Sequence, residues 1–386
     1  MNLPSDFSAA IQRHGARLSS ALDGVFVLSD SAVSGWQIIE MPHRDLLRAT
    51  VRFRLSIRPI GEGKADFCVH HALGMELARV GRDGTLIHSD PNFLKDYSFQ
   101  QGESGWLDLD FLFFNQAPAV IFGLTRPTSR YTGSNTPQFE LKTPQLEVVE
   151  SRWTPTQQDP LRIVEIGTRT AADPVWQPFA EGLRIMAFTP LPSEVEALRT
   201  QLPADRGHVV IGKALSDRNG TSPFSITKVS GYSSIFKPDF QRLKGYAAAD
   251  DFQLVSESKV ETCRFDAFVK QGDAVPPDVI RINAPGFEYN ALRGFGDALD
   301  QVLAVEVQLY VYPVYKKQKL LGDIVDLLES SGLLLRRALP PAKRPYARFS
   351  NEVMQMTGLF MRKRPSDESR GRHELMEEIW GLPPAP

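Results

Sequence analysis

The sequence predicts two domains: an N-terminal antiparallel β-sandwich followed by a Rossmann-like, doubly wound α/β domain. Three observations support this fold class. The chain has 386 residues, more than a single hydrophobic core normally serves. Its first part consists of short alternating apolar and polar runs, whereas strand-like and helix-like runs alternate in its second part. Residues 151–160 are polar and contain flanking prolines, which predicts a domain boundary near residue 155.

The composition is that of a folded, near-neutral protein. Hydrophobic residues make up 42% of the chain, charged residues make up 23%, and the formal net charge is -2. These values exclude a disordered chain and a protein that coats nucleic acid through a basic surface, so no nucleic-acid partner is expected. Two cysteines, Cys68 and Cys263, are too few for a disulfide framework. Because the N-terminus does not resemble a signal peptide and no run of about 18 apolar residues occurs, we expect a cytoplasmic protein without a transmembrane segment.

The first 150 residues carry the elements predicted for the N-terminal domain. Residues 1–24 have apolar residues at helix-like intervals and are predicted to form a leading helical segment. Residues 25–150 are predicted to be the β-sandwich, because alternating runs such as 51–57 and 107–113 are separated by turn signals without a long amphipathic helix. The spaced apolar residues of the leading segment are Phe7, Ile11, Leu18 and Leu22.

Aromatic residues make the sandwich a candidate carbohydrate- or partner-binding module. Most of them are expected to be core residues, but an exposed Trp or Tyr on one sheet face could stack on a sugar ring. The candidates for stacking are Trp36, Trp106 and Tyr131. No metal site is predicted, because His70 and His71 are consecutive and would point to opposite faces of a strand.

Strands and helices alternate between residues 160 and 364, which predicts a doubly wound domain with its ligand crevice at the carboxyl ends of the strands. Residues 365–386 are predicted to be a polar, peripheral C-terminal tail that contains a helix candidate. The predicted strands of the α/β domain lie at 162–167, 183–188, 208–212, 279–283 and 304–310. Its predicted helices lie at 192–201, 286–303 and 319–331.

One segment of this domain resembles a known family. Residues 281–294 read RINAPGFEYNALRG, which is similar to the hallmark segment of FkbM-type methyltransferases. Residues 305–310, 331–335 and 358–362 resemble the strands that follow in that family, and the resemblance covers about residues 160–364. It implies a Rossmann-like fold, S-adenosylmethionine as the cofactor and a sugar hydroxyl as the acceptor. Glycans and proteins of polysaccharide synthesis are the expected partners, and the sequence is compatible with an oligomer.

Candidate site residues come from the strand ends and from the resemblance. Glu165 and Gly167 end the first strand, where a glycine lets a cofactor approach the backbone. The resemblance implies catalytic roles for Asn283 and Glu288, which lie in the hallmark segment. The expected cofactor-binding residues are Glu165, Gly167, Thr189 and Ser216, and the expected substrate-binding residues are Tyr232 and Ser234.

Several of these residues also have structural interpretations, which the sequence leaves open. Glu165 could cap the next helix or pair with Arg169. Glu288 could brace its own helix, and Tyr232 and Ser234 could be ordinary loop residues.

Departures from the family's pattern define two functional hypotheses. Thr189 stands where family members have Glu, and one hydroxyl cannot accept from both ribose hydroxyls as a carboxylate can, so cofactor affinity is predicted to fall by about one to two orders of magnitude or more. Thr189→Glu should then strengthen binding. Asn283 replaces the family's Asp, and an amide cannot be a general base. The chain is therefore either a sugar O-methyltransferase or a catalytically degraded relative that serves as a glycan-binding or scaffold module.

Overall fold

A computed structural model describes residues 2–3, 7, 9–21, 24–30, 37–61, 64–125, 136–167, 174–244, 249–339 and 354–383. The chain divides into two compact units, Met1–Trp153 and Thr154–Pro386. The division lies inside the polar segment 151–160. Trp36 and Tyr131, two of the candidates for sugar stacking, lie outside the described residues.

The described part of the N-terminal unit consists mainly of β-strands. These are β1 (Asn2–Leu3), β2 (Ile11–Arg13), β3 (Arg17–Ser20), β4 (Val25–Ser29), β5 (Gln37–Pro42), β6 (Ala49–Pro59), β7 (Asp66–Ala72), β8 (Met75–Val80), β9 (Leu86–Ser89), β10 (Leu94–Gln101), β11 (Leu107–Asn115), β12 (Ala119–Thr125), β13 (Pro137–Lys142) and β14 (Gln145–Ser151).

Two antiparallel sheets form from these strands. One has the order β1-β14-β6-β13-β4-β3, with β11 paired to β6 and β10 paired to β11, and the other has the order β2-β5-β12-β7-β8-β9. Aromatic side chains from both sheets meet in one core. Phe53 of β6 lies 5.7 Å from Phe122 of β12, and Phe67 of β7 lies 6.1 Å from Phe139 of β13, measured between ring centroids. The alternating runs of the sequence therefore supply the apolar faces that the two sheets bury together.

The helix predicted over residues 1–24 is wrong for the residues that the structure describes. Most of them lie in the short strands β1, β2 and β3. His14 and Gly15 have φ angles of 54° and 82° and form the turn between β2 and β3, which pair with β5 and β4. The helix-like spacing was overridden because strands distant in the sequence offer these segments backbone hydrogen bonds.

The C-terminal unit combines strands with helices. Its strands are β15 (Leu161–Ile166), β16 (Leu183–Phe188), β17 (Val209–Ile211), β18 (Ala214–Leu215), β19 (Gly220–Thr227), β20 (Leu254–Cys263), β21 (Val279–Ile282), β22 (Ala304–Tyr310), β23 (Leu333–Leu339) and β24 (Gln355–Arg362). Its α-helices are α1 (Pro192–Gln201), α2 (Phe240–Leu243), α3 (Phe265–Gln271), α4 (Glu288–Arg293), α5 (Leu321–Ser330) and α6 (Arg370–Ile379).

The main sheet of this unit is doubly wound. Its strand order is β17-β16-β15-β21-β22-β24-β23, and every neighbouring pair is parallel except those of β24, which runs antiparallel to β22 and β23. The order reverses between β15 and β21, so the chain leaves the carboxyl ends of these two strands in opposite directions. Ligands of such sheets bind in the crevice that this reversal opens. A smaller sheet, in the order β18-β20-β19, belongs to the same unit.

The segment 365–386, predicted to be a peripheral tail, is part of the packed unit over its described residues. Helix α6 buries His373, Leu375, Met376 and Glu377. The Glu377 carboxylate lies 3.3 Å from the Arg336 guanidinium of β23 and forms an ion pair with it. Its polar composition concealed this packing because two of the four buried side chains are ionisable and satisfied by partners.

No helix in the described ranges is both long and apolar enough to cross a membrane.

Limited proteolysis is expected to cut the chain between residues 150 and 162. Arg152 and residues 157–159 are exposed, and the segment from 152 to 160 has no helix or strand. Trypsin should therefore cleave first at Arg152 and leave two fragments, each with a cooperative thermal transition. Mass spectrometry of the early products checks this, and Arg152→Gln should delay the cut. First cuts inside β6 or β22 would contradict the division.

Candidate functional site

A cleft opens where the strand order of the main sheet reverses. Its empty volume is about 760 Å³. Its walls come from the ends of β15, β16 and β21, the start of α1, strands β18 and β19, and residues 230–235 after β19. The position agrees with the crevice that the sequence pattern predicts.

Gly167 forms the floor of the cleft by bringing two strand ends together. It follows β15 with a φ angle of +68°, and a Cβ atom there would lie 2.2 Å from the carbonyl oxygen of Asn283, which follows β21. The Gly167 N–H donates to the carbonyl of Phe188 at 2.9 Å, and the Asn283 N–H donates to that of Ile166 at 2.9 Å. Only glycine combines this backbone conformation with this approach.

One wall of the cleft is apolar. It is built from buried and half-buried apolar side chains, and it offers a surface on which a flat ring can pack. Its members include Phe188, Leu191, Leu215, Phe224, Ile235 and Phe287.

A polar pair stands beside this wall. Thr189 follows β16, is fully buried, and donates its backbone N–H to the carbonyl of Ile211 at 3.2 Å. Its hydroxyl donates to a carboxylate oxygen of Glu194 at 2.5 Å, and both residues line the cleft. Glu194 is the third residue of α1, where the positive end of the helix dipole favours a carboxylate. The cleft thus contains an acidic group that sequence reasoning missed.

Four of the predicted site residues line the cleft: Gly167, Thr189, Ser234 and Asn283. Asn283 is exposed there, at the carboxyl end of β21. Ser234 is buried, and its hydroxyl accepts from the Phe236 N–H at 3.1 Å, so this hydroxyl holds a turn of the wall.

Glu165, predicted to bind the cofactor, lies inside the main sheet instead. Its carboxylate is 2.9 Å from the Arg281 guanidinium, which also lies 3.2 Å from Glu306. The register of β15, β21 and β22 places the three residues side by side. Glu165 is 3% exposed and is not among the described residues that line the cleft, so it belongs to an ion-pair ladder of the sheet. Arg169, the partner considered from the sequence, lies outside the described residues.

Ser216 and Tyr232 are also placed away from the described lining of the cleft. The Ser216 hydroxyl donates to Asp217 at 3.2 Å, and its carbonyl packs so closely on Gly294 that a Cβ at residue 294 would lie 2.2 Å from it. The Tyr232 ring stacks on Phe252 with 4.4 Å between centroids. Both residues thus make packing contacts outside the described lining of the cleft, and their predicted ligand contacts stay predictions.

Glu288, predicted to be catalytic, is buried beneath the cleft wall. It is 1% exposed, and one carboxylate oxygen accepts from the Gly286 N–H at 3.2 Å. Burial raises the pKa of Glu288 to about 8. The geometry matches the structural interpretation, in which this residue braces the turn before α4.

Glu288 is expected to make the stability of the C-terminal unit fall as pH rises. The folded-state pKa of about 8 exceeds the ordinary value of 4.5, so the folded state binds the proton more tightly. The stabilisation that Glu288 contributes is complete below about pH 4.5 and is lost as pH rises through about 8. Between these values the free energy of unfolding should fall by up to about 1.4 kcal/mol per pH unit. Urea titrations across this window should show the slope in the unmodified chain and a flatter profile in Glu288→Gln. The exposed control Glu329→Gln should keep the original slope; equal slopes in all three proteins would contradict the assignment.

Part of the chain matches the model of a known protein family. Residues 166–335, which include the Gly167, Thr189, Glu194 and Asn283 positions, match the model of the methyltransferase FkbM domain. No curated protein matches the chain.

Three solved structures share a distant likeness with the chain. A TehB-like SAM-dependent methyltransferase from Corynebacterium glutamicum has 11% identity and a TM-score of 0.26, covering 52% of this chain and 80% of that one. The fibrillarin pre-rRNA processing protein of Methanococcus jannaschii has 7% identity and a TM-score of 0.29, covering 90% and 97%. The CBM22-1–GH10 modules of a Clostridium thermocellum xylanase have 8% identity and a TM-score of 0.21, covering 48% and 37%. These scores are too low to carry an argument about this chain.

Proposed function

Residues 166–335 form an FkbM-type methyltransferase domain, and from this premise we propose that the C-terminal unit binds S-adenosylmethionine in the cleft and methylates a sugar hydroxyl in polysaccharide or glycan biosynthesis. The observation that carries the proposal is the position of the cleft, which opens at the reversal of strand order between β15 and β21. The acceptor class comes from the family resemblance.

The residues present fit this cofactor. Gly167 lines the cleft without a side chain, so a ligand can lie against its backbone. Phe188 and Leu215 on the apolar wall suit the adenine ring. Thr189 and Glu194 form a polar edge beside this wall, against which the polar part of the cofactor can lie.

When bound, the cofactor would supply an electrophilic methyl group for transfer to an acceptor hydroxyl, which would give up its proton. Asn283 is exposed at the mouth of the cleft, where its amide can donate to or accept from an acceptor hydroxyl. An amide cannot take the proton, which therefore passes to water through the open side of the cleft. The residues of this site would accelerate the reaction mainly by holding the two reactants in line.

A methyl-transfer assay tests this function. The full chain is incubated with methyl-labelled S-adenosylmethionine and a panel of nucleotide sugars and oligosaccharides. We expect S-adenosylhomocysteine and a labelled methyl ether on one acceptor class, and no transfer by Gly167→Ala. Cofactor binding without transfer to any sugar would contradict the proposed acceptor.

Asn283→Asp is expected to raise the rate of transfer without changing cofactor affinity. A carboxylate at the mouth of the cleft can accept the hydroxyl proton, and general-base catalysis typically contributes about 10²-fold or more. Single-turnover rates measured at saturating cofactor check this, with Asn283→Ala as the comparison. A rate that is equal or lower in Asn283→Asp would contradict the positioning role.

The alternative is a catalytically degraded relative that binds glycans, for which the N-terminal unit offers one observation. A polar groove of about 740 Å³ crosses the outer side of β6, lined by residues that include Arg54, Gln100 and Asp108. Trp106 is half-buried, with the Arg58 guanidinium 4.9 Å and the Lys142 ammonium 4.5 Å from its ring centroid. Because cations already pack on this ring, hydrogen bonds would hold a glycan here more than stacking would. Oligosaccharide binding by the isolated fragment 1–153, with no methyl transfer by the full chain, would favour this alternative.

A further inference from the structure

The cleft holds its acidic group at a position that the sequence pattern does not predict. At the end of β16 the chain has Thr189, whose hydroxyl has a single proton and donates it to Glu194. Thr189 is fully buried, whereas Glu194 is partly exposed at the cleft. The carboxylate, and not the threonine hydroxyl, is therefore the group presented to a ligand on this side.

The local fold explains why a residue five positions further along the chain takes this place. Helix α1 begins at Pro192, only four residues after the end of β16, so its first turn lies close to the end of that strand. Glu194 is in that first turn, and its side chain reaches Thr189. The threonine hydrogen bond fixes the orientation of the carboxylate beside the N-terminus of α1.

We infer that Glu194 is the residue of this chain that accepts hydrogen bonds from the vicinal ribose hydroxyls of the cofactor, with Thr189 as its positioning residue. The inference rests on the proposed function. A carboxylate has about four lone-pair sites, so one oxygen can accept from Thr189 while the group still accepts from two ribose hydroxyls. Cofactor affinity then does not suffer the loss that Thr189 by itself implies.

This assignment reverses the expected effect of Thr189→Glu. A second carboxylate beside Glu194 would repel it and would remove the hydrogen bond that orients it. Thr189→Glu should weaken cofactor binding, whereas the pattern of the family predicts that it strengthens binding. Thr189→Val, which keeps the shape of the side chain, should weaken binding to a smaller extent.

The test is a calorimetric cycle on the full chain with S-adenosylhomocysteine and its 2′-deoxy and 3′-deoxy analogues. In the unmodified chain, removing a ribose hydroxyl should weaken binding by about tenfold to hundredfold. Glu194→Gln should bind the parent compound more weakly by a similar factor and should lose most of its sensitivity to the missing hydroxyl. The control Glu196→Gln, on the same helix with its side chain 75% exposed, should behave as the unmodified chain.

The outcomes separate this inference from the function on which it rests. Equal sensitivity to the missing hydroxyls in Glu194→Gln and in the unmodified chain, or stronger binding by Thr189→Glu, would overturn the role of Glu194 and leave the methyltransferase proposal intact. No binding of any of the compounds by the folded, unmodified chain would overturn both. Circular dichroism and thermal unfolding of each variant identify losses that come from misfolding.

Discussion

Gly167→Ala is expected to abolish cofactor binding and to destabilise the C-terminal unit by several kcal/mol. The substitution places a Cβ atom 2.2 Å from the carbonyl oxygen of Asn283 at a φ angle of +68°. Backbone strain contributes about 1–3 kcal/mol, and the overlap contributes about 1–3 kcal/mol more because the ends of β15 and β21 must separate. The same movement distorts the floor of the cleft. Urea denaturation measures the stability, and calorimetry measures the binding.

Two alanine substitutions separate the causes of this effect. Gly272→Ala has a similar φ angle, +80°, but its Cβ would meet no atom within 4 Å, so it isolates the backbone strain. Gly322→Ala, in the first turn of α5, adds a Cβ in open space without a positive φ. We expect Gly272→Ala to lose stability but keep cofactor binding, and Gly322→Ala to keep cofactor binding and gain up to about 1 kcal/mol of stability, because alanine favours a helix. Cofactor binding by Gly167→Ala at the unmodified affinity would contradict the placement of the site.

Arg281→Met is expected to destabilise the C-terminal unit by about 3–5 kcal/mol. The Arg281 guanidinium lies 2.9 Å from Glu165, whose side chain is 4% exposed, and 3.2 Å from Glu306. Removing the cation leaves the Glu165 carboxylate buried beside an apolar side chain, which costs more than the pair contributes. Equilibrium urea denaturation of the full chain, following the transition of the C-terminal unit, measures the loss.

The double variant Arg281→Met/Glu165→Leu should regain most of this stability, because it removes both buried charges of the pair together. Glu165→Gln serves as the comparison for cofactor binding, since Glu165 is not among the described residues that line the cleft. An affinity for S-adenosylmethionine that falls in Glu165→Gln while stability is unchanged would contradict the ladder and restore the role predicted from the sequence.

The spacing of apolar residues predicted several helices and strands of the C-terminal unit correctly, because in these elements the pattern lies within the element itself. The helix predicted at 192–201 and the strands predicted at 183–188 and 304–310 coincide with α1, β16 and β22. The helix predicted over 1–24 failed because the partners of β2 and β3 lie elsewhere in the chain. Spacing of apolar residues does not report which distant strand will supply hydrogen bonds.

The site shows the same limit at the level of single residues. Gly167 and Asn283 were predictable because they directly follow strands, and strand ends meet at one edge of a parallel sheet. The ion pair of Glu165 with Arg281 could not be predicted, because Arg281 comes from another strand and the pairing is visible only in the register. Glu194 was missed because a helical turn, and not a strand end, carries it into the cleft; an acid in the first turn after β16 was the available signal.

Calorimetric titration of the full chain with S-adenosylmethionine tests the central claim most directly. We predict saturable binding of one molecule per chain that is lost in Gly167→Ala and kept in Gly272→Ala, because only the first substitution forces apart the ends of β15 and β21 that line the cleft. A folded, unmodified chain that shows no saturable binding, or equal binding by Gly167→Ala, would contradict the assignment of this cleft as the cofactor site.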